Sequence, residues 1–153
     1  MATESTAAIY KAIRLRLLTF EPMGGALTLA EQLAGGVSIV VPSDTAPMSY
    51  MVIRLQNIRG SLRERGGRLT AECELMAFHR PRENADDLEL LVDIADQAML
   101  RWRYATGGSV LCVGVRRDTL PPFKNDADPE VVQIRSVYDL IIRPSFLTQY
   151  AAA

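Results

Sequence analysis

LTAECELMAF, residues Leu69–Phe78, decides the fold. Leu69, Ala71, Cys73, Leu75 and Ala77 alternate with Thr70, Glu72, Glu74, Met76 and Phe78. A period of two is that of a β-strand, with one face in a core and a more polar face opposite, which points to an antiparallel sheet. Upstream, YMVIRLQNI (Tyr50–Ile58) reads as a second strand, and RGSLRERGGR (Arg59–Arg68) joins the two as a long hairpin loop with three glycines. Further upstream VSIVV (Val37–Val41) is short and β-branched, hence a strand. The prolines Pro42 and Pro47 make the stretch after it a loop, because each removes a ladder donor.

Helices flank these strands. Ile9, Ile13, Leu17 and Phe20 recur at helical spacing over residues 4–20, with Leu15 and Leu18 widening the stripe and Ser5 or Thr6 as the cap. Pro22 and Gly24-Gly25 stop this helix, and a short one is expected over Leu27–Ala34 before Gly35-Gly36. Asn84 or Asp86 caps a strong helix running to about Tyr104, with Leu88, Leu91, Val92, Ala95, Ala98, Met99 and Trp102 as its apolar stripe. Asp86, Asp87 and Glu89 lie in the first turns and Arg101 and Arg103 in the last, complementing the helix dipole. Ser109–Val115 is a further strand, Pro121–Pro129 an exposed loop, and Val131–Arg143 a long last strand ended by Pro144. The expected fold is α+β, an antiparallel or mixed sheet of about five strands with two main helices packed on one face.

The bulk properties bound the function. The 153 residues carry 17 basic and 18 acidic side chains, a net charge of -1, with 48% hydrophobic residues. That composition suits one soluble, intracellular globular domain over 1–153. The near-neutral balance argues against a dedicated nucleic-acid binder. No apolar run approaches the roughly 18–20 residues of a membrane span, and no basic flank leads into a signal-peptide core. Two cysteines are too few for a disulfide scaffold.

Chemistry-bearing patterns are sparse. His79, the one histidine, ends a strand, and no nucleophile or carboxylate stands at a recognisable spacing from it. Cys73 and Cys112 fall in apolar strands and read as buried thiols. Two cysteines and one histidine without paired spacing do not make a zinc site. Asp126 and Asp128 alternate like calcium ligands, but the glycine and closing glutamate of such a loop are missing. The glycine pairs lack the context of a phosphate loop. Neither a cofactor nor a metal is expected.

Arginine is the compositional oddity. Of the 17 basic residues only Lys11 and Lys124 are lysine. Arginine suits interfaces because its planar fork pairs with carboxylates and is weakly hydrated, although a genome bias would give the same excess. Arg59, Arg63, Arg65 and Arg68 cluster in the hairpin against Glu64, while the acids gather in Asp86–Asp96 and Asp118–Glu130. A chain neutral overall but with segregated signs can pair head to tail with copies of itself.

This order resembles the tail-terminator, or tail-completion, proteins of long-tailed bacteriophages. The resemblance is carried by the opening helix Ile9–Phe20, the strand Tyr50–Ile58 after a proline-rich loop and the long hairpin into Leu69–His79. The acidic-start helix ADDLELLVDIADQAMLRW (Ala85–Trp102) and the last strand VVQIRSVYDLIIRP complete it. It spans about residues 5–146, which implies a core there and a C-terminal extension at 147–153. It implies a virion structural protein, assembled in the host cytoplasm, with no enzyme activity. Such a protein forms a ring, usually a hexamer, that caps the tail tube, stops its polymerisation and joins the tail to the head. The implied partners are further copies of the chain, the tail tube protein, a head–tail connector or neck protein and, in a contractile tail, the terminal sheath protein. DNA would pass the lumen without specific binding, and no membrane is involved. Arg59, Arg63, Arg65, Arg68, Phe123, Phe146 and Tyr150 are the residues expected to contact other chains. The alternative in the same setting is a connector or stopper ring of the neck. From a different class, a small enzyme or ligand-binding domain would be built around His79.

Overall fold

A computed structural model of the chain describes residues 3–25, 27–39, 49–61, 68–79, 86–102, 109–123, 131–144 and 146. In chain order the elements are helix α1 (Thr3–Thr19), a 3₁₀ turn (Met23–Gly25), helix α2 (Leu29–Gln32), strand β1 (Val37–Ser38), strand β2 (Tyr50–Gly60) and strand β3 (Leu69–His79). Helix α3 (Asp86–Leu100) and strands β4 (Val110–Phe123) and β5 (Val131–Ile142) follow. The five strands form one mixed sheet in the order β1-β2-β3-β5-β4, with β1 parallel to β2 and the other pairings antiparallel. The architecture is the expected α+β sheet with helices on one face.

β3 and β5 lie at the centre and pair without a break from Leu69↔Ile142 to His79↔Val132. The expected alternation holds on both. Ala71, Cys73, Leu75 and Ala77 of β3 and Ile134, Tyr138, Leu140 and Ile142 of β5 are buried beneath the helices. α1 closes that core with Ile9, Ile13 and Leu17, and α3 with Leu91, Val92, Ile94, Ala95, Ala98 and Met99.

Hydrogen bonds fix the two helices against the sheet and against each other. The Arg14 Nε donates to the Val37 carbonyl at 2.9 Å, and the Arg16 Nε to the Ala98 carbonyl at 2.8 Å. The Tyr10 hydroxyl accepts the Leu55 N–H at 2.9 Å. Under α3 the buried Tyr138 hydroxyl donates to Asp96 Oδ1 at 2.6 Å, while Arg117 pairs with the other carboxylate oxygen. Burial pushes the Tyr138 phenol far above its usual range, and the Asp96 charge adds to this. Burial likewise pushes the Cys73 thiol up, with Cys112 and Glu74 contributing.

Several expectations are corrected. α1 begins at Thr3, so Ser5 and Thr6 lie inside it and cannot be its cap. Leu15 does not widen the stripe: it is 54% exposed, on the side of the helix away from the core. The short second helix spans only Leu29–Gln32, set by a capping box in which Thr28 Oγ1 accepts the Glu31 N–H and Glu31 Oε1 accepts the Thr28 N–H. α3 ends at Leu100 rather than near Tyr104, and Arg59 and Gly60 belong to β2 rather than to the loop. β4 does not stop at Val115. It runs through Pro121-Pro122 to Phe123, which removes 121–123 from the expected loop. The reason is position: β4 is an edge strand, and its ladder slips between Leu120 and Phe123, so neither proline interrupts a central ladder. The loops expected at 42–47, 62–67 and 124–129 lie outside the described residues.

Phe146 is 0% exposed and sits in the main core. Its ring closes the sheet end after Arg143, whose N–H donates to the Ser109 carbonyl. Phe146→Ala should therefore cost about 3–5 kcal/mol through lost burial and the cavity left behind. Urea unfolding checks this, and a cost below 1 kcal/mol would contradict the placement. Cys73 and Tyr138 both have folded-state pKa values raised above those of the unfolded chain, so each contributes stability that is fully present below the unfolded pKa and lost above it. Stability should start to fall above roughly pH 8.5, the unfolded thiol value, and fall more steeply above roughly pH 10. Urea midpoints across pH 7–11 check it.

Candidate interaction surfaces

The sheet face away from the helices carries alternating charges. At its centre, where strands β2 to β5 place Arg54, Glu74, Val137 and Arg116 in register, Glu74 is buried. The Arg135 Nε donates to Glu74 Oε2 at 3.0 Å, and its Nη1 reaches Asp118 at 3.3 Å. One step along, Glu72 and Asp139 stand opposite each other, and Arg116 bridges them at 2.5 and 2.9 Å. These bonds raise the Arg116 pKa, Asp139 contributing most. Tyr50 and Phe78 stack at 4.7 Å at one end of this face, beside Val52 and Met76.

Two bulges shape the other end. The β2 ladder slips between Gln56 and Arg59, with Asn57 at φ 51°, and the β4 ladder slips between Cys112 and Gly114. The flared strands enclose an open trough of about 500 Å³, lined by Arg59, Glu72, Val113, Arg116 and Asp139 among others. The Asn57 side-chain amide donates to Glu72. Chemically the trough is balanced, two carboxylates against two guanidinium groups. Gly60, at φ 91°, permits the hairpin to leave β2, since a Cβ there would collide with the Arg68 carbonyl.

The expected contact residues separate. Arg59 and Arg68 are exposed and flank the β2–β3 connection. Phe123 ends β4, and nothing of its side chain is described. Arg63, Arg65 and Tyr150 lie outside the described residues. Phe146 leaves the set, because its ring is enclosed by the core and has no surface to offer a partner. For the reading built on His79, only the backbone at the end of β3 is described. Cys73 and Cys112 are buried, and the raised Cys73 pKa keeps that thiol protonated. Among the described residues no group of three or more His, Cys, Asp or Glu is placed to hold a metal, and no helix is long and apolar enough to cross a membrane.

The lattice of Glu72, Glu74, Asp118, Asp139, Arg116 and Arg135 was not among the expected contacts. Its signal was present, because Glu72, Glu74, Arg135 and Asp139 all occupy the polar phase of their strands. What was missing was the register that makes them neighbours.

No family model and no curated protein matches the sequence. Among solved structures the fold is similar to a chain described as "Virion of native gene transfer agent (GTA) particle", at a TM-score of 0.61 and 11% identity. The likeness covers 92% of this chain and 98% of that one. The fold is therefore shared over nearly the full length of both.

Removing Arg135 leaves the buried Glu74 carboxylate uncompensated. Arg135→Ala should cost about 1–3 kcal/mol, less than a fully buried pair would lose, because Arg135 is one-third exposed. Glu74→Gln in the Arg135→Ala background should recover part of it. Urea unfolding of the two variants checks this, and equal stability of Arg135→Ala and the parent would contradict it.

Proposed function

We propose that this chain is a structural protein of a phage-like virion, acting as a ring that closes the tail tube, stops its polymerisation and joins the tail to the head. The observation that carries the reading is the likeness to the gene transfer agent virion chain, which accounts for nearly the whole length of both chains. The element order supports it: the opening helix, the long hairpin, the acidic-start helix and the last strand are those of the tail-terminator resemblance.

The physics of such a part agrees with the surfaces. A ring of identical subunits needs unlike faces on each copy. Here one sheet face is sealed by helices, while the other carries charge and a polar trough. No reaction is required of the chain. It works as one domain over 1–153, located in the tail or neck of the virion, with the tail tube protein, a neck connector and further copies of itself as partners. Arg59, Arg63, Arg65, Arg68, Phe123 and Tyr150 remain the proposed contacts. DNA passes the lumen without specific binding.

The test is direct. Purified protein is mixed with polymerising tail tube protein and imaged by electron microscopy. The reading expects tubes of arrested length bearing one added ring at an end. Tubes that grow unchanged, with the protein bound instead to head connectors, would overturn the terminator role in favour of a connector or stopper.

A further inference from the structure

An apolar groove separates α1 from the edge of the sheet. Ala7, Tyr10, Lys11 and Arg14 stand at helical spacing, so they share one face of α1. Val37, Ser38 and Ile39 form the opposite wall, and the groove holds about 410 Å³. Val37 is buried at its floor, and Ile39 is 53% exposed on its rim. Lys11 and Arg14 are exposed as well, and no carboxylate lines the groove. β1 is an edge strand, and its Val37 carbonyl already accepts the Arg14 Nε hydrogen bond. That carbonyl is closed to strand addition, so an occupant is held by apolar contact and by charge.

The other edge of the sheet has the complementary chemistry at the same level. Val37 is level with Met51, Ala77, Ile134 and Thr119, one strand after another, so the groove lies near the His79 end. At that end of the β4 edge Phe123 pairs with Val131, and the connection 124–130 leaves from this pair. The connection lies outside the described residues. Its sequence, KNDADPE, sets Asp126, Asp128 and Glu130 against Lys124, with Ala127 and Pro129 between the acids. Arg80 and Arg82 follow β3 at this end too, but Glu83, Asp86 and Asp87 outnumber them.

We infer that the 124–130 connection of one copy docks in the α1–β1 groove of the next, its carboxylates on Lys11 and Arg14. The inference rests on the ring reading for the claim that copies meet, and it adds which surfaces meet. The connection does not reach the groove of its own chain. β4 and β1 are the two edges of a five-stranded sheet, about 19 Å apart at the usual strand spacing. A link of this length, tied at both ends to neighbouring strands, extends at most about 14 Å from them. A contact between opposite edges of the sheet is heterologous, the kind that a ring repeats. Opposite charge on its two sides steers association and weakens as salt rises, because screening shortens to about 3 Å at 1 M.

The experiment uses the full chain carrying Ile39→Cys together with Ala127→Cys, the native Cys73 and Cys112 being buried. Circular dichroism checks the fold. The chain is oxidised with copper phenanthroline, with and without tail tubes, and non-reducing electrophoresis separates the products. The inference expects a ladder of covalent multimers beyond the dimer, at least tenfold weaker in 1 M salt. Either single variant, with one exposed thiol, should stop at a dimer. Adding Lys11→Glu should weaken the ladder at least tenfold, and adding Asp126→Lys to that chain should recover part of it. Copies that assemble by sedimentation without forming the ladder, or a disulfide closed within one chain, would overturn the docking and leave the ring reading standing. A ladder formed instead by Ile39→Cys with Tyr150→Cys would give the groove to the C-terminal segment and overturn the docking of 124–130. A chain that stays monomeric at every concentration, with and without tail tubes, would end both readings.

Discussion

The unbroken pairing of β3 with β5 is the constraint on which the rest depends. Because side chains alternate along both strands, one register assigns every residue of the pair to a face. Slipping β3 by one residue against β5 would bury Glu72 and Glu74 under the helices and expose Cys73 and Leu75. The penalty for uncompensated buried carboxylates makes that register unfavourable. The same pairing sets the distance between the hairpins and carries the Tyr138 hydroxyl to Asp96, which ties α3 to the sheet.

Much of this was legible in the sequence, and the reason is periodicity. Leu69–Phe78, Val131–Arg143 and the apolar stripe of α3 each repeat long enough to declare their element and their buried side. The misses are places where tertiary context overrides a local rule. Pro121 and Pro122 read as a loop because proline ends strands, yet at a sheet edge they do not. Leu15 reads as core because it is apolar, yet its direction around α1 faces solvent. Phe146 follows a terminating proline and carries no periodic signal, so nothing in its neighbourhood shows that its ring fills the core.

The candidate surfaces were less legible, for a different reason. The arginines at 59 and 68 stand out because they are close in sequence. Those at 101 and 143 do not, because only the fold brings them to the same end. The Glu72–Asp139–Arg116 group is likewise assembled from three strands. Local sequence shows charge type, and topology shows charge placement.

Hydrogen–deuterium exchange tests the central claim, that the chain acts through its surfaces rather than through a reaction site. The isolated chain is compared with the chain assembled on tail tubes. The account predicts new protection at Arg59–Gly60 and Arg68, with the β3–β5 core unchanged. Protection unchanged on assembly, or arising instead around the end of β3 at His79 when small metabolites are added, would contradict it.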